Sequence, residues 1–336
     1  MNIATHGLAS LALLRAAWPR APKQMWIAAV VAGTIADVDL LSAWTEPVKY
    51  LAWRGTYTHA LSGSILLAGL FAVVFPWLAG ADLRNRFSRL AFFFFALAAQ
   101  GLHLALDLCG STGIALLWPL TRRRFAADWV ADLDPWIIFV LLAALLLPEL
   151  LHLVSSEIGT RDTRPRGRVG ALLGFSILLF YVTVRADFHG EVLTLMQSRT
   201  FRSEVAKRVG AFPEALSPFT WQGLVETERG LHRITVTEGL GGPFDPESAE
   251  TLYKPEPSMA LDAAQKTATA QAFLETARFP KATVETTPAG ARVEIRDLAY
   301  LASGNTAHEV VAVMQLDSAN RVTSQEFAWA NQLAKE

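Results

Sequence analysis

The chain has 336 residues, 52% of them hydrophobic and 18% charged, with a mean hydropathy of +0.28. Soluble domains average about 45–50% apolar and about 25% charged, so the surplus excludes a disordered, collagen-like or disulfide-rich chain. A formal net charge of −1 offers no basic footprint for nucleic acid, and a lone cysteine, Cys109, excludes an internal disulfide.

Crossing a bilayer as a helix takes about 20 apolar residues. The first apolar stretch, 3–18, is short and holds His6 and Arg15. No basic residue precedes Arg15 and no small-residue cleavage site follows, so the stretch reads as retained and not as a signal peptide. Stretch 25–44 is apolar but carries Asp37 and Asp39 near its end, while 60–79, 88–108, 135–154 and 168–185 each reach spanning length. Asp134 before Pro135 reads as a helix N-cap with Pro at the first helical position. Six crossings put both termini on one side. One face then collects Arg15, Arg20, Lys23, Arg84, Arg86, Arg89, Arg161, Arg164, Arg166 and Arg168, and the other Lys49, Arg54, Arg122, Arg123, Arg124 and Arg185. The excess places the first face in the cytoplasm and the C-terminal half in the periplasm.

Residues 187–336 read as a small soluble α+β domain with an antiparallel sheet. Segment 240–258 is rich in Gly and Pro and predicts a loop. Residues 259–277 predict a helix capped by Ser258, and 291–299 a strand with Val293 and Ile295 on one face. Residues 308–316 and 321–329 predict a hairpin turning at Asp317–Asn320. No catalytic signature stands out here, and His232 and His308 read as structural or surface histidines. The expected fold is therefore an all-α polytopic membrane bundle of about six helices (1–186), followed by the α+β domain (187–336).

An ionisable side chain inside a spanning segment costs at least about 2.5–3.5 kcal/mol, so each one needs a reason. Six stand out: His6, Asp37, Asp39, His59, His103 and Asp107. On the topology above, all six fall at the outer leaflet. His103 and Asp107 are four apart and share one helical face. Asp37 and Asp39 are two apart and splay on a helix, so they converge only if the helix frays after Ala36, or else serve different ions or shells. Imidazole with carboxylate suits zinc, manganese or iron(II), and an open position would activate water near neutral pH. A proton or ion relay and a structural polar network are the alternatives. The Arg122–Arg124 run is either a headgroup anchor or a phosphate-holding group.

Thr5-His6-Gly7, Gly33-Thr-Ile-Ala-Asp37-Val-Asp39, Tyr57-Thr58-His59, His103-Leu-Ala-Leu-Asp107, Gly113 and Leu117-Trp-Pro119 together make the chain resemble the YdjM-like family of inner-membrane proteins, described as metal-dependent hydrolases. Residues 1–155 carry the resemblance, with Ala36 standing where the pattern has Pro. The order His, Asp, His, His-x-x-x-Asp is also similar to the zinc-dependent phospholipase C and P1 nuclease group. That likeness implies His6, Asp39 (or Asp37), His59, His103 and Asp107 as ligands, Asp128 or Asp132 as replacements for the group's further His and Glu, and phosphoester chemistry.

The resulting expectation is a multi-pass inner-membrane, metal-dependent hydrolase. Zinc is the first choice of ion, with manganese or iron as alternatives. Asp37 is the general base or a second-site ligand, and the substrate a lipid or lipid-linked (phospho)ester at the outer leaflet. A membrane-anchored interaction or regulatory protein is the alternative, with the partner of the C-terminal domain left open.

Overall fold

The computed structural model describes residues 1–21, 23–78, 86–157, 167–237, 244–304 and 308–333. Of the basic residues used above for orientation, Arg84, Arg161, Arg164 and Arg166 lie outside them, as do the side chains of Lys23 and Arg86. The chain divides into two compact units. Met1–Leu41 with Trp53–Arg185 forms the first, and Ser42–Ala52 with Ala186–Glu336 the second.

The first unit is helical. It holds α1 (Ile3–Ala17), α2 (Lys23–Thr34), a 3-10 segment that begins at Ile35, α4 (Leu61–Leu78), α5 (Arg86–Cys109), α6 (Pro135–Glu157) and the first part of α7 (Arg168–Gln197); α3 (Pro47–Trp53) lies mostly in the second unit. Among the described residues, four helical stretches are long and apolar enough to cross a membrane: Gln24–Trp44, Arg89–Cys109, Pro135–Val154 and Arg168–Gln197. Ile3–Ala17 and Leu61–Pro76 are apolar but shorter.

The packing of this bundle is inverted relative to a soluble protein. Its interior is small: Ala28, Ala29, Ala32, Ala68, Ala96 and Ala99 are buried, with Leu14, Met25 and Phe71 between them. Large side chains such as Ile27, Leu66, Phe94, Phe139, Leu153 and Phe180 are exposed. Small residues at helix contacts with Leu and Phe outside is the arrangement hydrocarbon surroundings favour, because lipid solvates the large side chains and close backbone approach holds the helices. Asp134 caps α6 as expected, its Oδ1 accepting the N–H groups of Trp136 and Ile137 at 2.9 and 3.2 Å.

The second unit carries two four-stranded antiparallel sheets and a small two-stranded one, β1 (Thr200–Phe201) with β2 (Glu204–Val205). The first four-stranded sheet has the order β3-β4-β5-β6, from Arg208–Pro213, Thr220–Glu226, Gly230–Thr237 and Glu250–Tyr253. Val192 and Met196 of α7 pack with Trp221, Val225 and Ile234 to close its core. The second has the order β10-β9-β8-β7, from Val322–Trp329, Val310–Asp317, Gly290–Asp297 and Pro280–Thr287. Helices α8 (Met259–Gln265) and α9 (Ala268–Leu274) cover it through Ala260, Ala264, Ala270 and Phe273. Two further short helices among the described residues are α10 (Leu298–Ala302) and α11 (Ala330–Leu333).

Three expectations change. The 259–277 helix is two helices, because Thr267 gives its Oγ1 proton to Ala264 O (2.7 Å) and accepts from Ala270 N (3.2 Å), capping α9. Segment 240–258 is not all loop: β6 pairs with β5, while residues 238–243 lie outside the described ones. Ser42–Ala52, assigned above to the 1–186 domain, packs with the second unit, where Leu51 joins the core of the second sheet and Tyr50 lies against His308 and Trp329 at 5.7 and 5.3 Å between ring centroids.

Candidate metal centre

Asn2 starts α1 by accepting the Ala4 N–H at 2.8 Å, which sets His6 in the first turns of that helix. Helix α2 lies close beside it at Gly33. A Cβ there would sit 2.0 Å from Ser10 Oγ and 2.9 Å from the His6 carbonyl oxygen, so only glycine permits the approach. The same glycine turns its carbonyl to His103 Nδ1 on α5, at 2.7 Å. One residue after α2 ends, at Ile35, the backbone tightens into the 3-10 segment. Residues two apart point about 160° from each other on an α-helix and about 120° on a 3-10 turn, so the change brings Asp37 and Asp39 towards one side. His59 lies in the turn segment at 54–60, and Asp107 lies one helical turn after His103.

The structure brings all six polar residues together. His6, His59 and His103 are 1% exposed, Asp37 4%, and Asp39 and Asp107 5%. Asp107 is central. Its Oδ2 is 3.1 Å from both His59 Nε2 and His103 Nε2, and its Oδ1 is 3.2 Å from His6 Nε2 and also pairs with the Met1 α-amino group. His59 Nε2 and His103 Nε2 are 3.1 Å apart, and the His6 and His103 rings stack at 3.7 Å. Asp37 Oδ1 is 3.8 Å from His59 Nε2.

Proton accounting shows what the cluster needs. His103 Nδ1 faces a carbonyl and must carry a hydrogen, which leaves Nε2 of the neutral ring an acceptor. His59 Nδ1 faces Asp39 Oδ2 at 3.0 Å, with the same consequence. Two imidazole lone pairs and one carboxylate oxygen thus meet within 3.1 Å. Acceptors so placed repel unless a cation, proton or metal ion, lies among them. Two nitrogens on one tetrahedral zinc at about 2.0–2.1 Å stand roughly 3.3 Å apart, close to the spacing here. Both ring nitrogens of His6 and both oxygens of Asp37 are buried without a hydrogen bond. Donor atoms within 4.8 Å of one another come from three overlapping groups, His6–Asp37–His103, His59–His103–Asp107 and Asp37–Asp39–His59. These buried groups fit a divalent ion of the zinc, manganese or iron(II) kind.

Sequence reasoning missed two members. Arg54, counted there only as a topological charge, sets Nη1 at 2.8 Å from Asp39 Oδ1 and 3.6 Å from Asp37 Oδ1. The Met1 amino group lies beside Asp107, with Asp132 Oδ1 4.0 Å away. The usable signal for Arg54 was the Arg54-Gly55 pair just ahead of Tyr57-Thr58-His59. In the Arg122–Arg124 run, Arg124 Nη2 reaches Thr56 Oγ1 at 3.4 Å, and Arg123 covers the Phe125 ring. The guanidinium seated on the cluster's carboxylates is that of Arg54. Of the two replacement carboxylates, Asp132 is the one near Asp107, and it accepts the Thr112 hydroxyl; Asp128 is buried in its loop with φ +58.

The family model described as YdjM inner membrane protein matches residues 1–190, and the one described as YfhP C-terminal alpha/beta plait domain matches 259–336. Comparison with curated proteins and with solved structures gave no match. The first match spans more than half of the chain and takes in every residue of the buried cluster. The chain belongs to the YdjM inner membrane protein family.

Proposed function

We propose that this inner-membrane protein is a metal-dependent hydrolase acting on a lipid or lipid-linked ester, with a phosphoester as the leading class. The observation that carries the reading is the meeting of His59 Nε2, His103 Nε2 and Asp107 Oδ2 at 3.1 Å, acceptors that need a cation among them, in a pocket that also holds His6 and Asp37. His6, His59, His103, Asp107 and Asp37 would hold one or two divalent ions, zinc first. A bound ion of this kind supplies a Lewis acid and an acidified water. Asp37, whose oxygens make no hydrogen bond, is placed to complete the ligand set or to take a proton from that water. Arg54 holds positive charge against Asp37 and Asp39, where an anionic substrate oxygen would be drawn.

Two features support a lipid substrate. Helices α1, α4 and α6 begin, and α5 ends, around the cluster. Beside it Trp53, Tyr57 and Trp118 form an edge-to-face series at 5.9 and 4.9 Å, the aromatic type enriched at membrane interfaces. The accompanying topology has six crossings, with the cluster and the C-terminal unit on the periplasmic side.

The test is elemental mass spectrometry on the full chain, purified in mild detergent without chelator, beside His103→Ala/Asp107→Ala. One or two equivalents of metal in the wild type, lost from the variant, is the expected result. Lipid phosphoester turnover should vanish in the variant while the protein stays in the membrane. A wild type that takes up no metal after dialysis against zinc, manganese and iron overturns the reading, as does turnover retained by the variant.

A further inference from the structure

We infer that Asp39 is a positioning residue and not a metal ligand: it fixes the tautomer and orientation of His59, and is itself fixed by Arg54 and the Gly55 N–H. The inference rests on the metal reading above and assigns different work to two aspartates that look alike in sequence. Asp39 Oδ2 accepts from His59 Nδ1 at 3.0 Å and from Gly55 N at 2.7 Å, while Oδ1 accepts from Arg54 Nη1 at 2.8 Å. Three donors on two sides engage both oxygens of the carboxylate. A carboxylate holding Nδ1–H leaves the Nε2 lone pair of the same ring directed away from it, and here that lone pair meets His103 Nε2 and Asp107 Oδ2. Asp37 has the opposite surroundings: neither oxygen is hydrogen-bonded, and Oδ1 faces His59 Nε2 at 3.8 Å.

The backbone is shaped for this contact. Gly55 has φ +66, and a Cβ there would come within 2.9 Å of the Gly113 carbonyl oxygen. The turn that presents the Gly55 N–H to Asp39 is therefore one that only glycine adopts without strain. Its carbonyl accepts from Ala115 N at 2.8 Å, so the arch is held from both of its faces.

Asparagine at position 39 offers one acceptor oxygen to donors on two sides, so either His59 or Arg54 loses its acceptor. The experiment measures zinc affinity by chelator competition, and stoichiometry at saturation, on the full chain in detergent. The forms compared are wild type, Asp39→Asn, His59→Ala and the double variant, with Asp37→Asn as reference. Asp39→Asn should weaken zinc binding about 10–100-fold with stoichiometry unchanged. On the His59→Ala background it should add less than about twofold, because its route to the metal is gone. The same factor on both backgrounds overturns the inference, and so does a loss of saturating stoichiometry equal to that of Asp37→Asn. Arg54→Lys, which keeps the charge but not the planar fork, is the second variant should Asp39→Asn fail to fold. It should weaken binding several-fold on the wild-type background and less on His59→Ala, where only its 3.6 Å contact with Asp37 remains, and equal weakening on both overturns the proposal. A wild type without zinc overturns the metal reading and this inference together, whereas additivity in a zinc-binding wild type overturns this one alone.

Discussion

His103 in the membrane unit and His232 in the sheet unit are both buried histidines, and they solve burial in opposite ways. Each nitrogen of His232 faces a hydroxyl, Thr227 Oγ1 at 3.1 Å and Thr251 Oγ1 at 3.0 Å. A hydroxyl donates or accepts as required, so that ring is satisfied in either neutral tautomer. His103 has one nitrogen committed to a carbonyl and the other turned on an imidazole and a carboxylate. The difference teaches that burial alone does not mark a functional histidine. What marks it is a partner set that cannot be satisfied without something added.

The comparison breaks most sharply at Asp37. Replacing it by Asn should cut metal affinity by more than the 10–100-fold typical of a group acting through a ligand, and elemental analysis with chelator titration measures this. Retention of wild-type affinity would mean that its unbonded oxygens face nothing of consequence. In the other unit, Trp221 is fully buried in the core shared by α7 and the first sheet. Trp221→Ala should destabilise that unit by about 3–5 kcal/mol, read by chemical denaturation, while molecules that remain folded keep their metal. Metal loss in step with a still-folded protein would dissolve the contrast between the units.

The smallest effect concerns His232 itself. Burial lowers its pKa below the ordinary value of about 6.5. The unfolded chain therefore binds more protons between the two pKa values, and stability, full above about pH 6.5, declines as pH falls through that window. His232→Gln should flatten this slope in thermal midpoints measured from about pH 7 to about pH 5. An unchanged slope would assign the pH dependence to other groups.

Much of the site was legible because hydrocarbon makes polarity conspicuous: six ionisable residues near apolar runs stand out without a structure. Their convergence was legible too, since an expected six-crossing topology brings all six to one end of the bundle. The division of labour between Asp37 and Asp39 was left open between two shells, because it depends on where Arg54 and the Gly55 N–H come to rest. The 3-10 segment that begins at Ile35 is equally silent in the sequence, whose apolar run continues through it. In the second unit β9 is buried at almost every position, so the alternation expected of a half-buried strand is lost there. Strands β3 to β5 passed unmarked among residues with no long apolar run, and Thr267 broke a helix that composition alone would continue.

The path of Ser42–Ala52 bears on how this protein can be taken apart. The chain enters the second unit at Ser42, three residues after Asp39, contributes Tyr50 and Leu51 to it, and returns at Trp53, one residue before Arg54. The later boundary falls inside α7, between Arg185 and Ala186. The units are interleaved along the chain, so no single scission separates them. A truncation at residue 186 would end α7 in mid-course and strip the partners from Tyr50 and Leu51, on the very segment that links Asp39 to Arg54. Loss of metal from such a fragment would then report a torn splice and not a catalytic role for the sheets, which makes point substitution the sounder way to dissect the two halves.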